Sequence, residues 1–366
     1  MSTDLVDNYS EALVKPRSRR RLLAPLTLTL AAALVFAACG SDSDDSSGGS
    51  GGGDGQTTLR LGYFPNVTHG PALIARDQGL FEKELGSDVK IEYSTFNSGS
   101  EVTTAILAGA LDASFVGPNP AINGYQKSGG KVKVVSGVAN GGAFLVVKPG
   151  IKSAADLKGK KVATPSHGNT QDVALRTWLN DNGVTVTKDG GDVTILPQEN
   201  AVTLTSFQED QIDGAWVPEP WATRLVQEGG GEILLDEASL WPDGKYTTTV
   251  LVVTTDFLDK HADLVQKLVT ANDAAIQVIE KDPAAAKASI SKGIGDITDK
   301  PMPEELITAS FKSVKFGLDP IISSLQKSAD DAAALGFIEN SDIANLWDPT
   351  YVNKVLQTNG EPALKT

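Results

Sequence analysis

The chain has 366 residues, of which 40% are apolar, and a formal net charge of -14; its mean hydropathy is -0.11. That length suits two domains with ordinary cores, and the acid excess argues against binding nucleic acid or lying flat on anionic lipid. A small anion stays possible, because backbone amides can hold one without basic side chains.

The chain opens on a basic stretch, with Lys15, Arg17, Arg19, Arg20 and Arg21 against Asp4, Asp7 and Glu11. An apolar run from Leu22 to Ala38 follows, broken by Pro25, shorter than the ~20 residues that span a bilayer. It ends in "FAAC", which resembles a bacterial lipobox, although Phe36 stands where an aliphatic residue is usual. "SRRRLL" also looks like a twin-arginine export signal. Residues 1–38 are therefore read as a lipoprotein-type export signal and Cys39 as the lipidated residue; the competing reading is an uncleaved membrane anchor. Removing the signal's net +2 would leave -16 on the remainder. Cys39 is the only cysteine, so no intrachain disulfide can form. "GSDSDDSSGGSGGGDGQ" has nothing to bury, and residues 39–57 are expected to form a disordered tether reaching roughly 20–25 Å.

From Leu59 onward, short β-rich runs alternate with helical ones. "TLRLGYF", "DVKIEYSTF", "DASFVG", "KVKVVSGVA", "AFLVVKPG", "KKVATPS", "DVTILPQ", "DGAWVPE", "EILLDE" and "TTTVLVVTTD" read as strands. In "TQDVALRTWLNDNG", Leu175, Trp178, Leu179 and Asn182 share a helical face and Gly183 lies just past its end. This order implies an α/β fold with largely parallel sheets. Beyond His261 the chain reads as mostly helical, broken at Pro283, Pro301, Pro303 and Pro320. An internal repeat relates residues 102–130 to residues 203–230. It matches Asp112 with Asp213, Phe115 with Trp216, Pro118 with Pro218, Asn119 with Glu219 and Pro120 with Pro220, and leaves Gly117 unmatched.

Ligands of such sheets bind at strand carboxyl ends, against the starts of the following helices. Five junctions carry suitable groups: Asn66, Thr68 and His69; Ser98, Gly99 and Ser100; Asn119; Ser166, His167, Gly168, Asn169 and Thr170; and Trp216, Glu219 and Trp221. Free amides and the helix dipole there make an anion site without Arg or Lys. Each group also has a plainer reading, as a helix cap or as core for the tryptophans. With histidines only at 69, 167 and 261, no H-x-x-x-H, no phosphate loop and no nucleophile elbow, the chain offers no catalytic residues, metal site or cofactor motif.

The runs "GYFPNVTHGPALIARDQGLFEKELG", "GPNPAINGY", "ATPSHGNTQDVALRTWL", "DGAWVPEPWATRLV" and "LQKSADD" resemble the substrate-binding proteins of ABC importers that take nitrate, taurine and aliphatic sulfonates, the last most of all. The resemblance implies a type II periplasmic-binding-protein fold, two α/β lobes joined by two crossover strands around a ligand cleft. Residues 58–137 and 246–366 would form lobe I and residues 138–245 lobe II, with crossovers near "VSGVA" and "YTTTVLVV". It implies Asn66, Thr68, His69, Ser98, Gly99, Ser100, Asn119, His167, Gly168, Asn169, Thr170, Trp216 and Glu219 around the ligand, Trp216 as an apolar wall and Glu219 holding an amine or the opposite lobe. The implied protein is a monomeric receptor, lipid-anchored at Cys39 on the extracytoplasmic membrane face. It would deliver a small anion, an aliphatic sulfonate first, to ABC permease subunits driven by a cytoplasmic ATPase. Nitrate, taurine, a phosphonate, a pyrimidine or a sensor role are the alternatives. An enzyme like the pyrimidine-synthesising relatives is disfavoured, because their active site is cysteine- and histidine-rich.

Overall fold

A computed structural model describes residues 56–365; the export signal, Cys39 and nearly all of the tether lie outside the described residues. The tether's last residue, Thr57, already opens a strand. In chain order, β1 (Thr57–Tyr63) passes through a single turn at Val67–His69 into α1 (Gly70–Asp77) and α2 (Leu80–Leu85), and β2 (Val89–Thr95) leads to α3 (Gly99–Leu107). Next come β3 (Ala113–Val116), α4 (Pro118–Lys127), β4 (Val132–Gly141) and β5 (Ala143–Val147). β6 (Lys161–Thr164) leads to α5 (Thr170–Asp181), a hairpin of β7 (Val186–Thr187) and β8 (Gly190–Gly191), then β9 (Thr194–Pro197) and α6 (Asn200–Gln208). β10 (Gly214–Pro218), α7 (Trp221–Gln227), β11 (Glu232–Asp236) and β12 (Thr247–Thr254) follow. The chain closes with α8 (Thr255–Lys260), α9 (Ala262–Lys281), α10 (Pro283–Thr298), α11 (Glu304–Ser310), β13 (Val314–Phe316), α12 (Ile322–Ala334) and α13 (Thr350–Asn359).

The larger strands build two sheets with one shared plan. The first runs β13-β4-β12-β3-β1-β2 and the second β11-β5-β10-β6-β9. In each, three strands are parallel (β2-β1-β3, β9-β6-β10), and a strand from elsewhere in the chain lies antiparallel beside the third (β12, β5). The sheets are therefore mixed rather than largely parallel. A strand crossing directly from the other lobe enters from the opposite end, whereas a strand–helix–strand unit must return parallel.

The internal repeat is built into this plan. Asp112 accepts the Arg60 backbone N–H at 2.8 Å, and Asp213 accepts that of Lys161 at 2.9 Å, each from the first of the three parallel strands of its own sheet. Phe115 and Trp216 are both fully buried on the third strand. The change of sheet falls at Gly141–Gly142, where both residues have positive φ and a Cβ on Gly142 would lie 2.4 Å from Val314 Cγ2.

The apolar face of α5 packs as its spacing predicts: Leu175 and Leu179 join Leu145, Val162 and Trp216 in the second lobe's core. Helices α9 and α10 cover the first sheet with Leu268, Val269, Ala275 and Ile290, joining Leu59, Leu61 and Phe115.

Candidate ligand-binding site

Between the sheets lies a cavity of about 420 Å³, its mouth included. All six parallel strands feed it from their carboxyl ends. β1 supplies Phe64, Asn66, Thr68 and His69; β2 supplies Asn97, Ser98 and Gly99; β3 supplies Gly117 and Pro120; β6 supplies Pro165, Asn169, Thr170 and Gln171; β9 supplies Asn200; and β10 supplies Pro218. The crossing strand β12 adds Thr248. No Asp, Glu, Lys or Arg lines the cavity among the described residues. His69 is neutral as well: burial pushes its imidazole down to about 3. Its Nδ1 accepts the Phe64 N–H at 3.4 Å, so Nε2 carries the proton, and the ring stacks on Phe64 at 4.5 Å.

The polarity comes from helix starts. Helices α3 and α6 begin at the cavity with no side-chain bond to their first amides, because Ser98 Oγ pairs with Ser100 Oγ and Glu199 makes no cap. Those amides and the dipole behind them present partial positive charge. The start of α5 is different. Asn169 Oδ1 accepts the Asp172 N–H at 3.0 Å, so Asn169 is a true cap as well as a lining residue. Beneath it the buried Asp172 binds Gly168 N at 2.9 Å, Thr164 Oγ1 at 3.0 Å, and Arg176 through Nε at 3.0 Å and Nη2 at 3.1 Å. This two-point pair fixes the turn that carries residues 167–170.

Other residues hold the lobes to each other. Trp221 Nε1 donates to Asn66 Oδ1 at 2.9 Å, and Asn119 N to Thr170 Oγ1 at 3.4 Å. A Cβ on Gly117, the residue the repeat leaves unmatched, would lie 2.7 Å from that same Thr170 hydroxyl, so the position has little room for a side chain.

Of the residues named from sequence, Asn66, Thr68, His69, Ser98, Gly99, Asn169 and Thr170 share the cavity. Gly99 is there for packing: a Cβ would sit 2.2 Å from Pro120 Cγ. Ser100 is exposed behind Ser98, and Asn119 is buried beside the cavity with Nδ2 on Ser328 O at 3.1 Å. His167 is half exposed, edge-on to Phe337. Gly168 takes φ +68 next to the same ring.

Trp216 does not reach the cavity. It is 0% exposed, with Nε1 donating to Glu237 Oε2 at 2.7 Å. As the counterpart of Phe115 on a central strand, it points into the core. Glu219 is also turned away, accepting from Thr223 N and Oγ1 and, across the lobes, from Ser310 Oγ at 3.2 Å. Its burial raises its pKa.

The sequence reading missed Asn200, Gln171 and Thr248. Asn200 is buried, and its Oδ1 has no partner among the described residues. The signal for it was available: α6 is the repeat counterpart of α3, so its start corresponds to Ser98–Gly99.

Comparisons with known proteins agree with this architecture. The chain is 25% identical over 338 residues to a protein of Bacillus subtilis (strain 168) assigned as an aliphatic-sulfonates-binding protein, covering 91% of this chain and 96% of that one. It is 30% identical over 200 residues to the taurine-binding periplasmic protein of Escherichia coli (strain K12), covering 54% and 59%. Among solved structures it is similar to the alkanesulfonate-binding protein of Xanthomonas axonopodis pv. citri bound to MOPS, with a TM-score of 0.67 at 21% identity over 80% of this chain and 98% of that one. The periplasmic nitrate-binding protein of Synechocystis PCC 6803 gives a TM-score of 0.70 at 17% identity over 82% and 89%. The fold is that of the periplasmic binding proteins, and the chain is a solute-binding protein rather than an enzyme. It belongs to the NMT1-like family, whose pattern matches residues 52–294.

Proposed function

We propose that the protein captures a small organic monoanion, an aliphatic sulfonate, and hands it to an ABC import permease from the extracytoplasmic face of the membrane, where Cys39 anchors it by lipid. The observation that carries this reading is the cavity lining: neutral throughout, with the uncapped starts of α3 and α6 as donors. Amides and dipoles suit a dispersed single negative charge, and no cation among the described residues lines the cavity to balance a phosphonate dianion. Phe64, Pro120, Pro165 and Pro218 add apolar wall that an alkyl group fills and nitrate leaves empty. No carboxylate among the described residues lines the cavity to meet the ammonium of taurine, so an alkanesulfonate of similar size should bind better, by about tenfold or more. Binding by Asn66, Thr68, His69, Ser98, Asn169 and Thr170, joined by Gln171, Asn200 and Thr248, belongs to the same proposal. Ser100, Asn119, His167, Gly168, Trp216 and Glu219 act on it through packing and lobe contact. Isothermal titration with alkanesulfonates, taurine, nitrate, phosphonates and pyrimidines tests it. A preference for taurine, phosphonate or pyrimidine over every alkanesulfonate refutes the ligand class. Retention of a Cys39→Ser variant in washed membranes refutes the anchor.

A further inference from the structure

A second recess, about 610 Å³ with its mouth included, lies on the other side of Thr170 from the anion cavity. Helix α5 and the turn at 237–241 wall one side of it, and β12 and α12 the other, so an occupant would touch both lobes. Its chemistry is unlike that of the first cavity. Val173, Trp178, Leu240 and Trp241 give apolar and aromatic surface. Three of its charged groups are acids (Asp181, Glu237, Asp331), and the single base, Lys327, is held by Asp331 at 2.7 Å.

Glu237 is the decisive group. It is 1% exposed; Oε2 is occupied by the Trp216 indole, while Oε1 has no hydrogen-bond partner among the described residues. The Trp241 indole N–H lies near enough to steady the carboxylate but makes no hydrogen bond of normal geometry to it or to any other of the described residues. A buried carboxylate oxygen left open costs more than one that meets an N–H donor. Trp241 stacks on Tyr246 at 5.5 Å, and Lys327 Nζ lies 5.6 Å from its ring centre.

We propose that this recess is a second binding site, for a small organic ammonium whose N–H meets Glu237 Oε1 while its hydrocarbon part lies on Trp178, Leu240 and Trp241. The site is separate from the anion cavity and does not depend on the identity of the anion. Because both lobes line it, an occupant favours their contact, and by linkage would tighten binding in the first cavity.

The probe is n-butylammonium chloride, titrated calorimetrically into the whole protein at pH about 8, where the carboxyl is ionised, with n-butanol as the uncharged control. Butylammonium is expected to bind, butanol to bind at least about tenfold more weakly, and Glu237→Gln to weaken butylammonium by about tenfold or more. Leu240→Lys, at an exposed position on the rim, should weaken it in the same direction without disturbing the core, which covers the case of a Gln variant that does not fold. No butylammonium binding to the wild type up to about 10 mM, equal binding of butanol, or unchanged affinity in both variants would overturn the proposal, leaving a structural carboxyl bridged by water.

Discussion

The same glutamate should shape how stability depends on pH. Burial lifts the Glu237 carboxyl from an ordinary 4.5 to about 7, against the steadying effect of the Trp216 and Trp241 indoles and in the same sense as neighbouring Asp236. Between those values the folded chain keeps a proton that the unfolded chain has released. The stabilisation is therefore complete below 4.5 and is lost as pH rises through 7, a total of about 3 kcal/mol at 1.36 kcal/mol per pH unit. Glu219, raised by burial, adds to the same fall. His69 works in the opposite direction: its pKa drops from 6.5 to about 3, so acid protonates the unfolded chain first and stability falls as pH falls below 6.5. From 4.5 to 6.5 the Glu237 and His69 slopes oppose each other, so the wild type should change less across this window than either group alone would make it. Carboxyls held low by partners, such as Asp77 with Lys292 and Glu228 with Arg224, lose their contribution only below this window. Glu237→Gln keeps an acceptor for Trp216 and removes one slope, so its stability should climb from pH 4.5 to 6.5 and no longer decline toward 7. Urea unfolding followed by tryptophan fluorescence at several pH values measures both curves. Superimposable profiles for variant and wild type would refute the reasoning.

Asn200→Ala should weaken alkanesulfonate binding by about tenfold or more while changing stability by less than about 1 kcal/mol; titration and urea unfolding of one preparation compare the two. Trp216→Ala should do the reverse, costing about 3–5 kcal/mol of stability in denaturant titration with the affinity of the folded protein within about threefold of wild type. Arg176→Met strands the buried Asp172 carboxylate and should cost about 3–5 kcal/mol, visible as a fall in the thermal midpoint. Gly142→Ala puts a Cβ against Val314 at a residue with φ +72, and should destabilise by more than about 1 kcal/mol in the same assay.

Much of the fold could be read from the sequence because its signals are local. All ten β-rich runs form strands, and α5 spans its apolar stripe with Gly183 at φ +73 beyond its end. Apart from the two-residue strands β7 and β8, what escaped depended on distant partners. β13 is three residues long and is a strand only because Val314–Phe316 pairs with the edge of β4. β5 and β12 run antiparallel because each is the strand by which the chain enters one sheet from the other, which no local window contains. The site divides in the same way. Helix-start polar groups were legible as a class, but whether one caps, lines or bridges depends on geometry. Asn169 caps and lines together, Ser98 bonds Ser100, and Thr170 reaches across to Asn119. Trp216 misled because aromatic surface beside a proline turn says nothing about which side of the strand it occupies. Glu219 follows the lining residue Pro218, but its partner Ser310 lies 91 residues further along the chain.

The insertion of the second half within the first also sets an order of assembly. Every strand of the second sheet falls between Ala143 and Asp236, one uninterrupted stretch, so that half can close on itself as soon as the segment is free. The first sheet cannot. Its β1, β2, β3 and β4 must wait for β12, which arrives only after the second half has passed, and β13 comes later still. A chain emerging N-terminus first would hold its leading strands open, with the β3 edge exposed, while the middle of the chain folded. Pairing β12 with β3 and β4 is the longest-range closure in the first sheet, because it closes a loop of more than a hundred residues and so carries the larger loop-closure cost. The strand that ties the halves together in the finished protein is also the one whose late arrival makes the first half whole.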